Sequence, residues 1–350
     1  MFLKELSLTN YKNFESLKFS FDTKIICFVG LNGVGKTNIL DSIYHLSYTK
    51  SYFNPIPSQN IKHGETFFFI SGKYMIHDKE ENILVSLKKG DKKIIKRNNK
   101  LYKKFSDHIG KIPLVLISPD DRNLIIEGSE TRRKFIDGII SQTDKEYLNN
   151  LIDYNRTLKQ RNALLKMFYD NSENIRKTID IYDRQLSSDA QKIYDKRREF
   201  LNEFIPIFKS RYKELSNDKE NVEIKHSSDI SPDQNLYKLL KNSLEKDQRF
   251  QYTTKGIHKD DLNLNLDNFP IKKYGSQGQQ KTFLIAMKLA QFDYLSKLDS
   301  KPILLLDDIF DKLDDTRVKQ IINLVNQEKF NQIFISDTNK TRSEKIIKKV

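Results

Sequence analysis

Apolar and polar residues alternate from Phe2 to Thr9 and from Leu17 to Phe21, the two-residue period of a half-buried strand, so the chain opens in β structure. The short apolar run Ile25 to Val29 predicts a third strand, and a helix is predicted after it from Asn38 to Leu46. Pro55 and Pro57 mark a loop. Phe67 to Ile76, Ile83 to Leu87 and Lys92 to Lys96 read as strands broken at Gly90–Asp91 and Asn98–Asn99, which predicts an antiparallel meander. Ile112 to Ile117 is a further buried strand, closed by Ser118, Pro119, Asp120 and Asp121.

The pattern turns helical from about Thr131 to Tyr212. Proline is absent until Pro206, glycine occurs only at Gly138, and apolar residues recur at three and four, as along Leu148, Leu151, Ile152 and Leu158. Asp170 to Glu173 predicts a turn between two long helices, with Ser172 as the N-cap of the second. Arms of about 30–35 residues would reach roughly 50 Å. Asn221 to His226 and Leu262 to Leu266 then read as strands and Asn235 to Glu245 as a helix. An amphipathic helix follows from about Thr282 to Leu298. Ile303 to Leu306 is wholly apolar, as a parallel strand buried on both faces must be, and Gln332 to Ile335 closes the β pattern.

Chemistry enters where the third strand meets the first helix. Gly30, Gly33, Gly35, Lys36 and Thr37 have the Gly-x4-Gly-Lys-Thr spacing in which backbone N–H groups curl round a triphosphate, since glycine tolerates the required φ values and close approach. The expected nucleotide-binding residues are Gly30, Leu31, Asn32, Gly33, Val34, Gly35, Lys36, Thr37 and Asn38. Lys36 is expected to reach the β and γ phosphates and Thr37 to offer a hydroxyl to Mg²⁺, with the positive end of the helix aimed at the anion. The implied cofactors are ATP and Mg²⁺.

Asp307 and Asp308 end the apolar strand, followed by Ile309, Phe310, Asp311, Lys312, Leu313 and Asp314. Ligands bind at the carboxyl ends of parallel strands. Asp307 is therefore expected to hold Mg²⁺, commonly through water, and Asp308 to orient or deprotonate the attacking water.

No apolar run approaches a membrane span, and the alternating N-terminus is not that of a signal peptide, so a soluble protein without a membrane partner is expected. The single cysteine, Cys27, excludes an internal disulfide and suits a cytoplasmic home. The formal charge of +14 favours a polyanionic partner. Residues 73–111 hold 12 Lys or Arg against 5 Asp or Glu, interleaved with the predicted meander.

Tyr274, Gly275, Ser276, Gln277, Gly278, Gln279, Gln280 and Lys281 resemble the signature loop of ABC-type ATPases. The resemblance implies that Ser276, Gly278 and Gln279 contact the γ-phosphate of ATP held by a second subunit. About 240 residues separate this loop from the phosphate loop, far more than in transporter subunits, which points to the SMC-like repair branch. Three further stretches make the resemblance specific. They are Ser118–Asp121 with Leu124, Gly128, Arg132, Arg133 and Asp137; Tyr154–Asn162 with Leu164 and Leu165; and His258 with Asp260 and Asp261. Over essentially its whole length the chain is similar to the RecF family of bacterial replication and recombinational repair ATPases.

That resemblance implies an α/β fold: a P-loop ABC-type ATPase head with an antiparallel β meander, plus an inserted, mostly helical second lobe. The expected division is head at 1–130, helical lobe at 131–247 and head again at 248–350. It implies a weak DNA-stimulated ATPase that forms an ATP-dependent homodimer. The DNA would be single-stranded or a gap junction, where the dimer helps RecR and RecO load the recombinase in the DNA damage and SOS response. Departures are visible too. Asp308 stands where typical ABC enzymes carry glutamate, one methylene longer, so slow hydrolysis is expected. Ser336, Asp337 and Thr338 stand where a histidine is common, leaving the γ-phosphate sensor open. The alternatives are a soluble ATPase subunit of an ABC transporter and a non-catalytic, nucleotide-gated DNA clamp.

Overall fold

The computed structural model describes residues 1–167, 173–216, 220–231, 234–309 and 330–341. Asp170, Asn171 and Ser172, expected to form a helix turn and cap, lie outside the described residues, as do Phe310 to Asp314. The chain packs as two compact units, Met1–Asp121 with Lys281–Val350, and Arg122–Gln280.

In the first unit the meander is a six-stranded antiparallel sheet in the order Phe14–Ser20, Phe2–Tyr11, Phe67–Ile76, Lys79–Lys88, Ile94–Arg97, Lys100–Leu101. Two of its hairpins turn on pairs of left-handed residues, His77–Asp78 (φ 46° and 58°) and Asn98–Asn99 (φ 50° and 65°), the geometry that matches strand twist. The asparagine pair was legible as a break; His77–Asp78 was not, because the apolar and basic residues on either side of it carry no glycine or proline to mark the turn.

The apolar strand Ile25–Val29 leaves this sheet and joins a second one, wholly parallel, in the order Ile25–Val29, Ile333–Asp337, Ile303–Asp307, Leu114–Ile117. The helix Lys36–Tyr48 packs against strands of both sheets. Leu40, Ile43 and Leu46 are fully buried on it, and at Gly72 a Cβ would lie 2.7 Å from Leu46, so only glycine lets the helix this close to the meander. One continuous core joins Leu3, Leu6, Phe68 and Ile70 of the meander to Leu116, Leu305 and Phe334 of the parallel sheet.

The second unit is built on the helices Ser129–Thr143, Lys145–Lys166 and Glu173–Ser216. Two long arms were expected; the first is instead broken at Asp144, extended at φ −132°, whose carboxylate accepts from the Tyr147 N–H at 2.8 Å and caps the next helix. The other arm is longer than expected, 44 residues, or about 66 Å. Pro206 lies inside it, at a helix-interior cost of ~3 kcal/mol, yet the buried stripe Phe200, Phe204, Phe208 and Tyr212 spans that point and holds the helix through it. The expected helix Asn235 to Glu245 is two short ones, Leu236–Asn242 and Leu244–Phe250, and Asn235 caps the first by accepting from Tyr237 N–H at 2.7 Å. A three-stranded antiparallel sheet, Phe269–Pro270, Asp261–Leu266 and Val222–Ser227, completes the unit.

Candidate nucleotide site

Ile25–Val29 delivers the glycine loop to the start of the helix Lys36–Tyr48. Gly33 and Gly35 have φ of +86° and +103°, the region that disfavours any Cβ. Gly35 is doubly constrained, because a Cβ there would lie 2.6 Å from both Asn13 Nδ2 and Phe14 Cζ. The helix carries no acidic residue in its first turn and no side-chain cap, so its leading N–H groups are available to an anion. Lys36 Nζ lies over the loop, donating to the carbonyls of Gly30 at 2.7 Å and Leu31 at 2.8 Å. Gly35→Ala is expected to lower the melting temperature and weaken binding of a fluorescent ATP analogue at least tenfold, at a strain of about 1–3 kcal/mol. Wild-type values in both measurements would show that the loop tolerates a side chain there.

The parallel register brings the acidic strand to the same place. Asp307 pairs with Ser336, and Asp337 with Val29, so the carboxyl ends of three strands meet at the loop. Thr37 Oγ1 donates to Asp307 Oδ1 at 2.9 Å, and Ser336 Oγ donates to the same oxygen at 2.7 Å. Burial pushes the Asp307 carboxyl up, while the Ser336 and Thr37 hydroxyls pull it back. A divalent cation would restore the charge that burial disfavours, so Thr37 and Asp307 fit Mg²⁺ as a hydroxyl–carboxylate pair of hard oxygen donors. Asp308 is left-handed at φ +46°, and its N–H donates to Ser336 Oγ at 3.0 Å. Backbone held in that region marks a position fixed by its surroundings. Ser336, where a histidine was missed in the sequence, thus ties the two aspartates together.

Sequence reading missed the groups behind the loop. Asn13, in the turn between the first two strands, donates to the Val34 carbonyl at 3.4 Å and accepts from Asn38 Nδ2 at 2.8 Å. Beneath the helix, the buried Asp41 accepts from Tyr11 Oη at 2.9 Å, Ser51 Oγ at 2.6 Å and Tyr52 N–H at 2.7 Å, and pairs with Lys12 Nζ at 2.6 Å. His45 lies beside Tyr11 and burial pushes it down to about 3, so it is neutral. The one signal in the sequence was a carboxylate and a histidine four residues apart in a helix otherwise uncharged after Lys36.

The Ser276 loop lies in the second unit, whereas the phosphate loop and the acidic strand belong to the first. Ser276 is exposed. Its N–H donates to Gln279 Oε1 at 2.7 Å and its Oγ accepts from the Gln279 N–H at 3.2 Å, a reciprocal cap that starts the helix Gln277–Leu295. Gln279 Nε2 also donates to Glu220 Oε1 at 2.7 Å. The helix therefore begins five residues earlier than expected, because the polar loop residues cap it rather than precede it.

Taken alone, Arg132 and Arg133 read as a solvated helix face and His258 as a loop residue; the structure uses all three as ties. Arg132 forms a two-pronged bond to Asp261 at 2.6 and 2.9 Å, and Arg133 donates to the Asp260 carbonyl at 2.6 Å. Arg197 binds Asp137 at 2.9 Å, Asp260 Oδ2 at 2.8 Å and the Ile257 carbonyl at 2.9 Å. Burial opposes its charge, yet Asp137, Tyr147 and Asp260 together hold its pKa above the ordinary guanidinium value. Tyr154 Oη donates to His258 Nδ1 at 2.7 Å, and His258 Nε2 donates to the Thr253 carbonyl at 3.0 Å, an arrangement that needs the neutral ring. Burial pushes His258 down to about 4. Arg161 joins Asp183 at 2.6 Å and Asp247 at 2.7 Å, with all three fully buried.

With the geometry in place, the comparisons are decisive. The family described as "AAA domain, putative AbiEii toxin, Type IV TA system" matches residues 25–336. The chain is 56% identical to the DNA replication and repair protein RecF of Flavobacterium johnsoniae over 349 residues, covering 99% of this chain and 97% of that protein. The chain belongs to the RecF family. The RecF of Phocaeicola vulgatus is 50% identical, with 100% of this chain and 94% of that protein covered. A solved structure titled as the recombination mediator protein RecF with ATP in the RecFOR pathway superposes with a TM-score of 0.90 at 30% identity, covering 97% of this chain and 92% of that one. The Smc head domain of Pyrococcus furiosus, at 16% identity and a TM-score of 0.57, shares the fold. The α/β reading, an ABC-type head with a meander and a large helical segment, is thereby established for this RecF-family chain. Among the described residues no helix is long and apolar enough to cross a membrane.

Proposed function

We propose that the chain is an ATP-dependent DNA-binding protein of replication and recombinational repair, closing as a dimer around ATP and reopening on slow hydrolysis. The observation that carries this reading is the convergence of Lys36, Thr37, Asp307 and Asp308 at one end of the parallel sheet. Relatives named as replication and repair proteins, and a relative solved with ATP, support it.

Lys36 would exchange the Gly30 and Leu31 carbonyls for β and γ phosphate oxygens, with the loop N–H groups completing the cradle. Thr37 and Asp307 would hold Mg²⁺, which supplies neutralising charge to the phosphates when bound. Asp308 would accept a proton from the attacking water or orient it, and its short side chain makes turnover slow. Ser276, Gly278 and Gln279 of the partner protomer would close over the γ-phosphate, so that neither protomer owns a complete site. The +14 charge favours a polyanion. Membership of the RecF family suggests that it is single-stranded or gapped DNA, with RecR and RecO as partners in loading the recombinase and the cytoplasm as the place of action.

Hydrolysis measured against protein concentration, with and without gapped DNA, tests the reading. A rate per protomer that rises steeply with concentration and with DNA is expected; full activity at high dilution, indifferent to DNA, would overturn it. Lys36→Ala should weaken ATP binding about 10–100-fold, the worth of charge-assisted bonds to phosphate, and abolish the ATP-dependent dimer in light scattering. A normal dimer in that variant would refute the role given to Lys36.

A further inference from the structure

The solvent face of the meander is built for bases as well as phosphates. Because directly paired residues in antiparallel strands point to the same side, the register fixes what this face carries. One cross-strand row runs Lys18, Ser7, Ser71, Leu84, Lys96 and Leu101. The neighbouring row runs Ser16, Thr9, Phe69, Ser86 and Ile94, and beyond it Phe67 pairs with Lys88. The opposite face carries Leu6, Leu8, Phe68, Ile70, Ile83 and Val85, all in the core.

Phe67, Phe69, Leu84, Ile94 and Leu101 do not belong to that core packing. Phe67 is 41% exposed, Ile94 41% and Leu101 61%. Glu5, on the same face, is neutralised by Lys73 at 3.0 Å and Lys18 at 3.4 Å, leaving the surface basic around its aromatic centre. Glu80 is at its far end, paired with Met75.

We infer that this face binds single-stranded nucleic acid, with Phe67 and Phe69 as stacking platforms, the row of Ser and Thr hydroxyls hydrogen-bonding sugar and base edges, and Lys88 and Lys96 tracking the phosphates. The inference rests on the DNA-binding reading above and gives it a place on the molecule. Phe67 and Phe69 stand two residues apart on one strand, about 7 Å, a spacing that an extended, unstacked strand can match base by base. A duplex buries its base faces within its own stack and offers these rings nothing. A protein partner would also meet apolar side chains here, but half of the chain's basic excess falls in residues 73–111, of which Lys73, Lys88 and Lys96 stand on this face, and electrostatic complementarity selects the polyanion.

Fluorescence anisotropy of a labelled oligothymidylate, with the full chain and ATP, decides the matter. Phe67→Leu/Phe69→Leu keeps an apolar strand but removes both rings. It should weaken the single strand about tenfold or more while leaving duplex affinity, ATP binding and the melting temperature unchanged. Wild-type affinity for the single strand in that variant overturns the inference and gives the face to a protein. Should the variant fold poorly, Lys88→Gln/Lys96→Gln decides instead: the slope of log K against log salt should fall by about 1.4, and an unchanged slope overturns the inference. A wild-type chain that binds no DNA at all would sink the functional reading itself, an outcome distinct from both.

Discussion

Asp308→Asn is expected to bind ATP as the wild type does, to hold the ATP-bound dimer closed, and to turn over about 10²–10⁴ times more slowly, the range a positioned general base supplies. The substitution is clean for a structural reason. Asparagine tolerates the left-handed backbone at φ +46°, and the N–H of residue 308 keeps its bond to Ser336 Oγ, so the Ser336–Asp307–Thr37 chain stays in place. Only the proton-accepting oxygen is lost. Single-turnover hydrolysis with light scattering of the same samples checks it. Turnover at the wild-type rate would remove Asp308 from the chemistry and leave a nucleotide-gated clamp.

Arg197→Ala should destabilise the protein by about 3–5 kcal/mol, because it leaves the buried Asp260 and the half-buried Asp137 without their cation. Arg197→Lys should recover only part of the loss. A single ammonium cannot reproduce the planar fork that reaches Asp137, Asp260 and the Ile257 carbonyl together. Denaturant melts of the three proteins measure the effect; a loss under about 1 kcal/mol for the alanine variant would mean that water replaces the guanidinium and the network is not a structural tie.

Arg197 also shows where sequence reading stopped. It sits in the helical stripe with Ile193, Phe200, Leu201 and Phe204, where spacing alone predicts an apolar residue, and its partners lie 60 and 63 residues away. Asp183, on the same stripe, answers Arg161 from another helix. Charges in a buried stripe announce a partner without saying which. The motif residues Arg132, His258, Asp260 and Asp261 were visible as a family resemblance, whereas their role as ties within the second unit required the fold.

By itself the sequence determined the local features: strand and helix periods, the glycine loop, and the pair of aspartates at the end of an apolar strand. Each of these depends on neighbours along the chain. Tertiary structure decided what distant segments make together. It inserted Ile333–Asp337 between the loop strand and the acidic strand, so that Ser336 bonds to both Asp307 and the Asp308 N–H. It also set Asn13 against Val34 and Asn38, and buried Asp41 under four donors. The reason is physical: a backbone conformation is fixed by a few adjacent residues, while a buried hydrogen bond or ion pair is stable only when the packing of the whole unit excludes water from both partners.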